Sequence, residues 1–131
     1  INSSKIFSIE YKKGLKHGLL TEYFLNGNPK KITKFYCDNI HGYIKNFYPN
    51  GVLKMKMSVR DNKFTGFLTH YYDNGNIMNE YYKSQSYNLK TLKIYFNNGS
   101  IMKYVSQSEN IKLIQNYDLT GNLVNDELIV L

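Results

Sequence analysis

Three histidines, one cysteine and ten carboxylates are the side chains from which this chain could build a reaction centre. Nucleophilic catalysis needs a base beside a serine or cysteine, and a third group to orient that base. Cys37 stands four residues before His41, but the segment between them, in YCDNIHG (36–42), is turn-rich and fixes no such geometry. His17 and His41 each precede a glycine at the same place in a recurring pattern, which ties them to that pattern rather than to a reaction. His70 falls mid-strand in a column otherwise filled by Glu22, Asn46, Ile94 and Asn116. A metal centre needs converging ligands at set spacings, and no short spacing of His, Cys, Asp or Glu supplies them. Asp126 and Glu127 are adjacent carboxylates close to a fraying end, where both would stay solvated. Neither GxxxxGK[ST] nor GxGxxG occurs, so no motif cradles a phosphate. The expectation is a chain that is not an enzyme and uses no metal or cofactor.

The elements that would position these groups follow from composition and periodicity. At 131 residues the chain is long enough for one domain with a modest core. Thirteen Tyr and seven Phe, with abundant Ile, Leu and Thr, favour strands over helices. The net charge of +7 is unevenly placed. Residues 105–131 carry Lys112 against Glu109, Asp118, Asp126 and Glu127, so the basic excess lies wholly in residues 1–104. A basic body suits an anionic partner, whether acidic protein, lipid headgroups or nucleic acid. Lysines scattered among asparagines make a weaker nucleic-acid signature than an arginine cluster would, and no nucleic acid is expected. Cys37 alone cannot form an intramolecular disulfide. A cytoplasmic location is the simplest expectation. The sequence opens at Ile1 rather than Met, which leaves a removed signal or lipoprotein segment open.

The dominant feature is a repeat. FYPNGVLK (47–54) returns as YYDNGNIM (71–78) and YFNNGSIM (95–102). Corner glycines stand at Gly27, Gly51, Gly75, Gly99 and Gly121. Nine residues before the first three are Gly18, Gly42 and Gly66, replaced by Lys90 and Lys112 in the last two copies. Seven before each corner is aliphatic: Leu20, Ile44, Leu68, Leu92, Ile114. Four before is aromatic: Tyr23, Phe47, Tyr71, Tyr95, Tyr117. Three before is aromatic in Phe24, Tyr48, Tyr72 and Phe96, until Asp118 breaks the column.

Each copy reads as a β-hairpin. About seven residues, or ~23 Å of strand, run from the first glycine to the aromatic pair. The corner then turns the chain. Pro49 selects a type I turn with a G1 bulge, because φ near −65° suits its second place and Gly51 supplies the left-handed residue. A polar connector, such as YCDNIHG or RDNKFTG (60–66), leads to the next copy. Five hairpins near 11–34, 35–58, 59–82, 83–106 and 107–128, with an entry strand around Ile6–Tyr11, give about eleven strands. With no helical segment for parallel crossovers, the chain should be a single all-β domain, an antiparallel meander that is open or curled. The aliphatic column and the second aromatic share one face and the first aromatic takes the other, so both faces are partly apolar.

The unit HGYIKNFYPNGVLK (41–54) resembles the bacterial variant of the MORN repeat, and residues 16–31 and 64–78 match the same pattern. The resemblance covers residues 11–124 and is strongest in the first three units. It implies a hairpin-repeat binding surface with no chemistry of its own, of the kind found in bacterial antitoxins and immunity proteins. The leading expectation is therefore neutralisation of a cognate toxin by direct contact. An inhibitor surface needs a few desolvated anchors within a polar rim. Tyr43, Phe67 and Tyr72 are candidate anchors. Thr69 and His70 are varying positions beside them, and Lys45 and Lys93 would steer an acidic toxin surface. The second reading is a peripheral membrane scaffold whose lysines engage anionic lipid. The departures at Lys90, Lys112 and KSQSYNLK (83–90) mark either a partner-specific stretch or a capping end. Oligomeric state is not encoded in any of these features.

Overall fold

A computed structural model describes residues 7–131, and the meander predicted from the repeat is present. Eleven antiparallel strands follow one another in chain order: β1 (Phe7–Lys12), β2 (Leu15–Tyr23), β3 (Pro29–Tyr36), β4 (Asn39–Phe47), β5 (Leu53–Arg60), β6 (Lys63–Tyr71), β7 (Ile77–Lys83), β8 (Lys90–Tyr95), β9 (Ile101–Gln107), β10 (Ile111–Tyr117) and β11 (Leu123–Val130). The entry strand is β1; Ile6, its expected first residue, lies outside the described residues. The chain divides into two compact units, unit 1 ending at Thr65 and unit 2 spanning Gly66–Leu131.

The corners take the predicted form. Gly51 N donates to Tyr48 O at 2.9 Å and Tyr48 N to Val52 O at 2.8 Å, which closes a type I turn with a G1 bulge. Gly51 has φ of 88°, a value a Cβ would oppose, and the register slips between Asn46 and Phe47 as the bulge requires. The same pair of backbone bonds recurs at the other four corners. At the fifth, Asp118 takes the aromatic's place because its carboxylate holds the turn. It accepts from Thr120 Oγ1 at 2.7 Å, Thr120 N at 2.9 Å and Asn122 N at 3.0 Å. The Thr120 hydroxyl, then the Asn122 donors, bring its pKa down to about 2.

The connectors are tighter than expected. Between β3 and β4 only Cys37 and Asp38 lie outside strands, and both have positive φ, 46° and 64°. Asp61 and Asn62 do the same between β5 and β6, at 49° and 64°. These are two-residue turns of the type I′ kind, so β2, β4 and β6 reach nine residues rather than seven. The His-Gly pairs lie inside the strands. At Gly42 (φ 122°) the register with β3 slips between Thr33 and Phe35, a bulge whose extra residues β3 does not match. Lys90 and Lys112 sit in unbroken ladders, Lys83–Lys90–Gln107 and Gln107–Lys112, where no such glycine is needed. That is the structural meaning of the change from glycine to lysine in the last two copies.

In unit 1 the register aligns Ile9, Leu20, Thr33, Ile44 and Met57 across one face, and Thr21, Ile32, Lys45 and Lys56 across the other. In unit 2 the corresponding rows are Leu68, Tyr81, Leu92, Val105, Ile114 and Thr69, Glu80, Lys93, Tyr104, Gln115. Among the described residues Val59, 6% exposed, is the one buried apolar side chain. The usual central core is thus replaced by cross-strand pairs on two half-covered faces.

Two sets of polar side chains tie neighbouring hairpins together at their ends. In unit 1 the amides of Asn26 and Asn28 both donate to Pro49 O at 2.8 Å. In unit 2 those of Asn74 and Asn76 donate to Asn97 O at 3.0 and 2.8 Å. At the opposite ends of the strands, Asp38 Oδ1 accepts from Lys16 N at 2.7 Å and Asn62 Oδ1 from Ile40 N at 2.8 Å. The connector before β8 is organised instead by Ser84, whose buried hydroxyl accepts from Ser86 N and Tyr87 N. This is the place where KSQSYNLK departs from the pattern.

Candidate functional site

Five of the seven residues singled out from the sequence stand on the face that carries Thr21 in unit 1 and Thr69 in unit 2. Tyr43 and Lys45 belong to the first. Lys45 Nζ lies 4.6 Å from the centroid of the Tyr43 ring, and Lys34 Nζ lies 5.9 Å from it. Lys45 is also directly opposite Lys56. Like charges at facing positions repel and cost stability, so this arrangement favours an anion laid across the face.

Phe67, Thr69 and Lys93 belong to unit 2, where they line a shallow depression of about 180 Å³ together with Glu80, Tyr82 and Thr91. Phe67 is 60% exposed, and its ring meets that of Tyr82 with centroids 4.8 Å apart and planes tilted by 40°. A tilted aromatic pair of this kind presents a large rigid surface at little entropic cost. Lys93 pairs across the strands with Glu80, so the aromatic pair has charge of both signs beside it. Glu80 Oε2 accepts from Tyr95 Oη at 2.7 Å. Partial burial, and then the bond to Glu80 and its charge, push the Tyr95 phenol up to about 12.

A raised phenol pKa contributes stability that is whole below the ordinary value of about 10 and is lost as pH rises from there through the folded value. Tyr95 should therefore ionise above the ordinary phenol range in an absorbance titration, with Glu80→Gln lowering it part of the way because the effect of burial remains. A titration in which that substitution moved no tyrosine would break the assignment.

The remaining two predicted residues make hydrogen bonds to neighbouring strands and corners. His70 lies on the Leu68 face, with Nδ1 3.0 Å from Asn79 Oδ1. Tyr72 donates its hydroxyl to Tyr95 O at 2.9 Å, linking successive corners. The sequence reading missed Glu80, Tyr82 and Thr91 because only the first strand of each hairpin carries the obvious columns. Counting outward from the corner with one bulge residue pairs Phe67 with Tyr82 and Thr69 with Glu80, and that arithmetic would have found them.

His41 Nδ1 lies 3.1 Å from Asp61 Oδ1, and the Tyr36 ring stands between the two imidazoles, 5.1 Å from His17 and 6.0 Å from His41. Cys37 is exposed. Among the described residues no three of His, Cys, Asp and Glu come together as a metal site would require.

Residues 16–38 and 40–61 match the family model described as MORN repeat variant, which covers the first two of the repeats. No curated protein matches the chain.

Proposed function

We infer that this chain, which carries two repeats of the MORN variant type, is a non-catalytic binding protein of the antitoxin or immunity kind that neutralises a partner toxin by covering part of its surface. The observation that carries this reading is the exposed Phe67 in tilted contact with Tyr82 at a depression that Lys93 and Glu80 also line. Aromatic anchors inside a charged rim are the usual composition of a protein contact. The scaffold supports it too, since two half-covered faces leave apolar area that a partner can desolvate.

Capture on the purified chain from the producing cells should retain one protein in equal amount through a high-salt wash. That protein should arrest growth when expressed alone and not when co-expressed with this chain. Phe67→Ala should weaken the complex by about 2 kcal/mol, the scale of an anchor residue, and abolish protection. Lys93→Glu should slow association and reduce its salt dependence, leaving dissociation little changed. Retention that is indifferent to both substitutions would remove this face from the reading.

Lys34 and the facing pair Lys45 and Lys56 favour a second reading, attachment to anionic lipid, at about 1 kcal/mol per lysine near such a surface. Binding to acidic vesicles that vanishes at high salt, with no protein retained, would select it.

A further inference from the structure

The Leu20 face of unit 1 carries two adjoining depressions that share Glu22. The first, about 300 Å³, is walled by Ile9, Tyr11 and Leu20 and has Lys16 at its side. The second, about 390 Å³, lies toward the corners between the Phe24 and Tyr48 rings. Lys30 Nζ stands 5.9 Å from the centroid of Phe24 and Lys54 Nζ 5.4 Å from that of Tyr48. Lys31 sits between Glu22 and Asn46 in the strand register. Four lysines and one carboxylate thus line the two depressions, with an apolar hollow at one end.

Glu22, an exposed carboxylate that lines both depressions, calls for a hydrogen-bond donor from the occupant. A free carboxylate brings only acceptors and would meet Glu22 unfavourably. A polypeptide meets both demands, because its backbone N–H groups donate while acidic side chains accept from Lys30, Lys31 and Lys54.

We propose that this groove takes an acidic segment of a partner protein, with one large apolar side chain in the Ile9–Tyr11–Leu20 hollow and carboxylates against Lys30, Lys31 and Lys54. The site is on the face opposite Tyr43 and Lys45 and does not depend on whether the partner is a toxin.

The test is selection of a random peptide library, displayed on phage, against the purified full chain. The selected peptides, resynthesised, are titrated against wild-type protein and variants. Enrichment of peptides with several Asp or Glu beside one large apolar residue is expected. Their affinity should fall about tenfold or more in Lys31→Glu/Lys54→Glu, the scale of two lost charge contacts. Lys83→Glu, an exposed lysine of unit 2, should leave it unchanged. Backbone amide shifts on peptide addition should concentrate at Glu22, Lys31 and Asn46. Lys54 is exposed and Lys31 half-buried, so circular dichroism of each variant should confirm that it is folded.

Three results would overturn the proposal. The first is a selection without acidic enrichment. The second is an enriched peptide that binds the double variant as tightly as wild type. The third is displacement of the peptide by inorganic phosphate or by phosphatidylserine vesicles at equal anion concentration.

Discussion

Replacing Gly66 with alanine should cost unit 2 about 3–4 kcal/mol, the largest effect expected from a single added methyl group in this chain. Two penalties add. Gly66 has φ of 109°, where an L side chain is strained by ~1–2 kcal/mol. A Cβ there would also collide with the carbonyl oxygen of Lys83, a backbone atom that cannot swing aside as a side chain does. Forcing that strand away costs a further ~1–3 kcal/mol. Urea denaturation compared with wild type measures the sum. Gly75→Ala is the matched control. It has φ of 90° and open space around the new methyl, so it should show the strain alone, about 1–2 kcal/mol. Equal losses at the two positions would mean that Lys83 does not approach Gly66 so closely in solution.

The second large effect is expected at Asn62, an exposed residue that ordinary inspection would pass over. It occupies the left-handed region at φ 64°, accepts from Ile40 N at 2.8 Å and donates to Asn39 Oδ1 at 2.7 Å. Alanine loses both bonds and keeps the strain, for a combined cost of about 2–3 kcal/mol in unit 1. Asn62→Gly relieves the conformational part and should recover roughly 1 kcal/mol of it. Thermal unfolding of the two variants separates these contributions. If glycine were as damaging as alanine, the side-chain bonds alone would hold the connector.

What the sequence disclosed and what it hid follow from different physics. The corners were legible because Pro49 and Gly51 have steep backbone preferences, and a periodic column of such residues leaves few alternatives. Strand order followed, since short connections permit only antiparallel neighbours. The hairpin ends were harder. Asn26, Asn28, Asn74 and Asn76 look like compositional bias, and their function emerges only when the next corner places a carbonyl within reach of each amide. Connector length was overestimated because His-Gly reads as a break, whereas Gly18 and Gly42 sit within strands as bulge residues. Of the candidate contact residues, Phe67, Thr69 and Lys93 meet at one depression, while Tyr72 is drawn into a corner-to-corner bond that side-chain type alone does not reveal. The groove between Phe24 and Tyr48 was not anticipated, since its lysines lie beyond the corners rather than in the aromatic columns.

The strictly sequential order of the strands has a kinetic consequence. Every strand meets partners that are close along the chain, so each pairing closes only a short loop and demands little ordering in advance. Growth of the structure can begin at any well-formed corner and advance by one hairpin at a time, with each new hairpin templated by the last. Damage stays local for the same reason. A hairpin that opens at one place leaves its distant neighbours closed, and it re-forms against an edge that is still present.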